Sequence, residues 1–100
     1  MKGFKIKVTP ETRKIIQRLH PEQKKIIKHS LQELQRNPYR GDELQGELSG
    51  FKSYKPKRYR IIYKVDDQKR LILVHYIGHI RDVYEQFKTL LTKLSSKNEF

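Results

Sequence analysis

The chain has 100 residues, and its 23 Lys and Arg outnumber 11 Asp and Glu for a formal net charge of +12. That length makes one compact domain and leaves no room for a second, and the absence of Cys excludes a disulfide framework, a thiolate metal site and a thiol nucleophile. The longest uninterrupted apolar run, Leu71-Ile72-Leu73-Val74, falls short of the ~20 residues of a membrane span and the ~7–15 of a signal-peptide core, which points to a soluble cytoplasmic chain with no membrane partner.

Phe4-Lys5-Ile6-Lys7-Val8 alternates apolar and polar residues with period two, the pattern of a strand with one buried face. Thr9-Pro10-Glu11 supplies an N-cap, a proline suited to the first helical position and an acid at the positive helix end. A helix is therefore predicted over 10–19, burying Ile15, Ile16 and Leu19. His20-Pro21 interrupts it, because the residue before proline avoids the α region. Pro21 opens a second helix with Ile26, Ile27, Leu31 and Leu34 on one face, and Asn37-Pro38 ends it. Residues 38–50, with Gly41, Gly46 and Gly50, read as a loop pinned to the core by Leu44 and Leu48.

Three extended segments follow. The first, 51–55, is short. The second, 59–65, has Tyr59, Ile61, Tyr63 and Val65 on one face and Arg60, Ile62 and Lys64 on the other. The third, 70–77, is apolar on both faces, as a doubly covered central strand requires, and Gly78 breaks it. A last helix is predicted over 82–94, with Val83, Phe87, Leu90, Leu91 and Leu94 as its apolar stripe, and 95–100 as a disordered tail. The order β-α-α-β-β-β-α defines an α+β fold: a small antiparallel sheet with an N-terminal helical hairpin and a C-terminal helix, one domain over 1–94.

A charge of +12 on so small a body sets up a field of several kT and favours polyanions, with nucleic acid first and an acidic protein as the alternative. The densest charge lies in 51–64, where Lys52, Lys55, Lys57, Arg58, Arg60 and Lys64 are interleaved with Phe51, Tyr54, Tyr59 and Tyr63 and no acid intervenes. Two strands and a turn are expected to gather these cations on one surface, where cations meet phosphates and rings stack on bases. Phe51, Tyr59 and Tyr63 also read as core residues; Tyr54, by parity, shares the face of Lys52. Among the histidines, His20 and His29 fall on helix surfaces, and His75 shares a face with Leu71, Leu73 and Ile77 as a satisfied core histidine. His79 lies beside Arg81. Without Cys or a matched carboxylate pair these histidines make no metal site, and neither a glycine-rich phosphate loop nor a serine–histidine–carboxylate order stands out.

Asn37-Pro38, then Leu44-Gln45-Gly46-Glu47-Leu48-Ser49-Gly50-Phe51-Lys52, then Tyr59-Arg60-Ile61-Ile62-Tyr63, then Ile77-Gly78-His79-Ile80-Arg81-Asp82-Val83-Tyr84 resemble, in order and spacing, the RelE/ParE family of toxin–antitoxin toxins. The resemblance spans nearly the whole chain. It implies a RelE-like fold and a ribosome-dependent mRNA endoribonuclease toxin that inhibits translation without a metal or small-molecule cofactor. Its partners would be a cognate antitoxin, the ribosome and mRNA. The chemistry it implies is attack of a ribose 2′-OH on the adjacent phosphate with the 5′-oxygen leaving.

Carried onto this sequence, the catalytic set is Lys52, Arg60, Arg81 and Tyr84, and the RNA-binding set is Lys55, Lys57, Arg58, Tyr54 and His79. Arginine binds phosphate oxygens through a fork of donors, which suits transition-state stabilisation. Lysine and tyrosine ionise near ~10.4 and ~10, but a crowd of cations lowers both values, so Lys52 or Tyr84 becomes a usable base or acid. Two positions depart from the family pattern. Ile80 stands where a basic residue is usual, with Arg81 next door, and Tyr54 stands where a second basic residue is common, with Lys55 or Lys57 as substitutes. The alternatives are a ParE-type inhibitor of DNA gyrase without nuclease activity and a catalytically inactive, basic RNA-binding family member.

Overall fold

The computed structural model describes residues 3–97. β1 (Lys5–Val8) leads into α1 (Pro10–Arg18), and α2 (Pro21–Arg36) follows after the break at His20. Thr9 caps α1 by accepting the Thr12 N–H at 3.2 Å, a contact worth about 1 kcal/mol in general. The same corner is stitched to the sheet: Thr9 Oγ1 donates to the His75 carbonyl and Thr12 Oγ1 to the Val74 carbonyl, each at 3.3 Å. At the start of α2, Gln23 Oε1 accepts the His20 N–H at 3.2 Å.

The sheet contains β2 (Asp42–Glu43), β3 (Lys52–Tyr54), β4 (Tyr59–Asp66) and β5 (Leu71–His79) in the order β1-β5-β4-β3-β2. It is mixed rather than wholly antiparallel, because β1 runs parallel to β5 while the other pairs are antiparallel. The physical reason is connectivity. Short turns hold β3, β4 and β5 antiparallel, whereas two helices and the whole meander separate β1 from β5, so no tight turn sets their direction. β2, inside the expected loop, is a two-residue edge pairing Asp42 with Ser53 and Glu43 with Lys52.

Each face of the sheet buries its own cluster. Phe4, Ile27, Leu34, Ile61, Tyr63, Ile72, Val74 and Ile77 form the core under α1 and α2. Leu48, Phe51, Ile62, Val83 and Phe87 form the core under α3 (Val83–Lys97). Tyr63 anchors the loop that follows α2. Its hydroxyl donates to the Pro38 carbonyl at 2.7 Å and accepts the Gly41 N–H at 3.0 Å, and burial pushes the phenol above its usual range.

Three expectations are corrected. Ile62 pairs with Tyr76 but Tyr63 with Val74, so His75 is the extra residue of a β-bulge. A one-residue slip exchanges the faces of a strand; Ile77 therefore joins Ile72 and Val74, and His75 meets Phe51 and Phe87 on the opposite side. Second, Gly78 does not end β5, which continues through it to His79. Third, α3 runs on to Lys97, into the expected tail, while residues 98–100 lie outside the described residues. No helix among the described residues is long and apolar enough to cross a membrane.

Candidate functional site

The start of β4, the end of β5 and the first turn of α3 meet on the α3 face of the sheet. Arg60 pairs with Gly78, and a Cβ built on Gly78 would meet Val83 Cγ2 at 2.8 Å. The absent side chain is what lets the first turn of α3 approach the strand. Tyr84, the next residue, is half-buried, and its hydroxyl lies 2.9 Å from Ser53 Oγ. Ser53 pairs with Ile62, two residues along β4 from Arg60 and on the same face. Ile80 extends the contact by donating its N–H to the Arg58 carbonyl at 2.7 Å.

Arg60 is half-buried and folded back along the turn, with Nη1 donating to the Lys57 carbonyl at 3.1 Å and the Tyr59 carbonyl at 2.7 Å. Lys57 occupies the left-handed region with φ of 56°. Arg81 is exposed in the link to α3, its backbone N–H donating to His79 Nδ1 at 3.2 Å. The His79 ring lies edge-on to Tyr59 with centroids 6.0 Å apart. Arg58 and Lys57 are exposed at the turn.

The cations of 51–64 do not share one surface, because period-two alternation along β3 and β4 divides them. Lys52 pairs with Tyr63, a residue of the α1/α2 core, and so leaves β3 on the opposite face from Ser53 and Tyr84. Its Nζ lies 3.5 Å from Glu43. Lys55 is held by Asp42 at 2.7 Å, and that contact depresses the Asp42 carboxyl below its usual range. Tyr54 packs against the α1/α2 core, donates its hydroxyl to Glu33 at 3.0 Å and has the Arg40 guanidinium 5.5 Å from its ring centroid. Burial and the Glu33 contact raise the Tyr54 phenol; the Tyr54 hydrogen bond, with Arg40 and His29 nearby, lowers the Glu33 carboxyl. The ring is thus committed to the fold rather than presented for stacking. Lys64 lies over Phe51, 4.4 Å from its ring centroid.

His75 departs from the satisfied core histidine expected of it. Its Nε2 is buried without a hydrogen-bond partner, and burial, with Lys64 nearby, lowers its pKa. Ser53 was invisible as a functional candidate: only its alternation with Lys52 and Tyr54 hints that it faces Phe51 and the last helix. Among the described residues, no group of three or more His, Cys, Asp or Glu is placed to hold a metal ion.

A basic chain with a helical pair over one face of a short mixed sheet and a terminal helix over the other has the architecture of the RelE-type toxins. The family of the ParE-like toxin of type II bacterial toxin–antitoxin systems matches residues 6–88, and the chain belongs to it. It is 26% identical over 85 residues to Toxin RelG of Mycobacterium tuberculosis, spanning 83% of this chain and 98% of the relative. A chain of the RelBE2 toxin–antitoxin complex from the same species is similar to it with a TM-score of 0.71 and 25% identity, over 77% of this chain and 98% of that one. A free-state mutant of Escherichia coli toxin RelE shares the fold, with a TM-score of 0.70, 21% identity and coverage of 89% and 93%.

Proposed function

We propose that this toxin is a ribosome-dependent, metal-independent mRNA endoribonuclease that acts in the cytoplasm and is silenced by a cognate antitoxin. The observation that supports the reading is the pairing of Arg60 with Gly78, which sets Arg60 on the strand beside the β5–α3 link that carries Arg81 and leads into Tyr84. In the reaction the ribose 2′-oxygen loses its proton to a base and bonds to the adjacent phosphorus. The bond from phosphorus to the 5′-oxygen breaks, and that oxygen takes up a proton, leaving a 2′,3′-cyclic phosphate and a 5′-hydroxyl. Arg60 and Arg81 counter the charge that builds on the phosphorane, and Tyr84 is the proton-transfer group. Lys52, turned toward Glu43, acts as a peripheral contact to the RNA backbone together with Lys55, Lys57, Arg58 and His79.

One observation favours the gyrase reading: Ile80 stands 44% exposed where the nuclease branch has a basic residue. Programmed ribosomes and a gyrase supercoiling assay, run with the same protein, separate the two. The nuclease reading expects new mRNA ends on ribosomes that fade in Arg60→Ala and Tyr84→Phe. Inhibited supercoiling with intact mRNA would overturn it.

A further inference from the structure

The hydroxyl of Tyr84 meets Ser53 Oγ, 2.9 Å away, and Ser53 itself is 1% exposed. Ser53 sits on β3 between two neighbours, paired with Asp42 on one side and Ile62 on the other, so its backbone is held from both edges. Around it lie Phe51, Ile62, Val83 and Phe87, an apolar cluster in which an unpaired hydroxyl is unfavourable. An alanine or valine would serve packing there as well or better. The serine hydroxyl instead reaches a polar atom of the first turn of α3, the Tyr84 hydroxyl.

We infer that Ser53 is a positioning residue that aims the Tyr84 hydroxyl along the Arg60 face of the sheet, an inference that rests on the nuclease reading. The residue opposite Ser53 is Ile62, and Arg60 lies two positions further along β4, roughly 7 Å at the rise of a strand. Serine suits the position for a second reason. A hydroxyl rotates to donate or to accept, so the contact survives whether the Tyr84 oxygen carries its proton or has passed it on. Hydrophobic packing fixes where the ring lies, and Ser53 fixes where its oxygen is.

The test is a double-mutant cycle in single-turnover mRNA cleavage on programmed ribosomes, using the full chain. Ser53→Ala is expected to slow cleavage about tenfold, the weight of one oriented hydrogen bond, with the half-saturating ribosome concentration unchanged. In the Tyr84→Phe background the same change should do nothing further, because the atom it positions is gone. An equal slowing in both backgrounds would overturn the inference. A second readout needs no activity: with tyrosine labelled at Cζ, Ser53→Ala should move the Tyr84 resonance and leave that of Tyr63 in place. An unmoved Tyr84 resonance would also overturn it. If the wild-type chain cuts no mRNA, the nuclease reading and the catalytic purpose of the contact fall together, and the resonance still decides whether Ser53 holds Tyr84.

Discussion

Gly78 and Val83 are in contact across the β5–α3 junction, so close that a Cβ on the glycine would lie 2.8 Å from Val83 Cγ2 and 3.1 Å from Val83 Cβ. Val83 is fully buried, which leaves it nowhere to move. Gly78→Ala should therefore destabilise the protein by about 1–3 kcal/mol, the usual range for overpacking. Urea denaturation reads the loss, and Val83→Ala in the same chain should recover part of it. Equal stability of wild type and Gly78→Ala would show that the helix start is not packed as described.

Tyr63 carries a different kind of load. Its hydroxyl serves two backbone groups of the loop after α2, the Pro38 carbonyl and the Gly41 N–H. Tyr63→Phe removes a donor and an acceptor at once inside a fully buried site. The expected cost is about 1–3 kcal/mol, with faster hydrogen exchange at the Gly41 amide than the global change explains.

Stability should fall as the solution is acidified past the ordinary histidine range. Burial and Lys64 lower the pKa of His75 in the folded protein below the 6.5 of the free side chain. The unfolded chain thus takes up a proton first as pH drops, and the folded state loses ground from about pH 6.5 downward, through the folded pKa. His75→Phe should flatten that part of the curve, since a phenyl ring matches the Phe51 and Phe87 neighbours. Midpoints of urea unfolding measured between about pH 7 and pH 5 test this; parallel curves for both proteins would refute it.

On the nuclease reading proposed above, Arg60→Ala should reduce mRNA cleavage by roughly 10²–10³, the typical effect of losing one preorganised donor to a developing anion. Arg60→Lys should restore only part, because an ammonium cannot reproduce the planar fork of donors. Single-turnover rates on programmed ribosomes give the comparison, and an Arg60→Ala protein as fast as wild type would remove Arg60 from the mechanism.

Short-range signals were legible in the chain itself. Thr9-Pro10 and Pro21 set both helix starts, because capping and proline geometry act within a few residues. The alternation of Tyr59, Ile61 and Tyr63 with Arg60 and Ile62 correctly assigned those side chains to the two faces of β4. Motif order and spacing carried the family, which the match over residues 6–88 establishes.

What the chain did not reveal depends on partners far away in sequence. Period-two parity along β5 misplaced Ile77, since a bulge arises from the register with β4 and leaves no mark in local alternation. The direction of β1 and the split of Lys52 from Arg60 follow from strand neighbours chosen by the whole sheet. The Ser53–Tyr84 contact joins residues 31 apart. Composition and periodicity thus determined the three helices, the longer strands and the apolar face of β4. Only the tertiary structure decided which polar groups meet, because hydrogen bonds need atoms within about 3 Å, and long-range pairing alone brings these together.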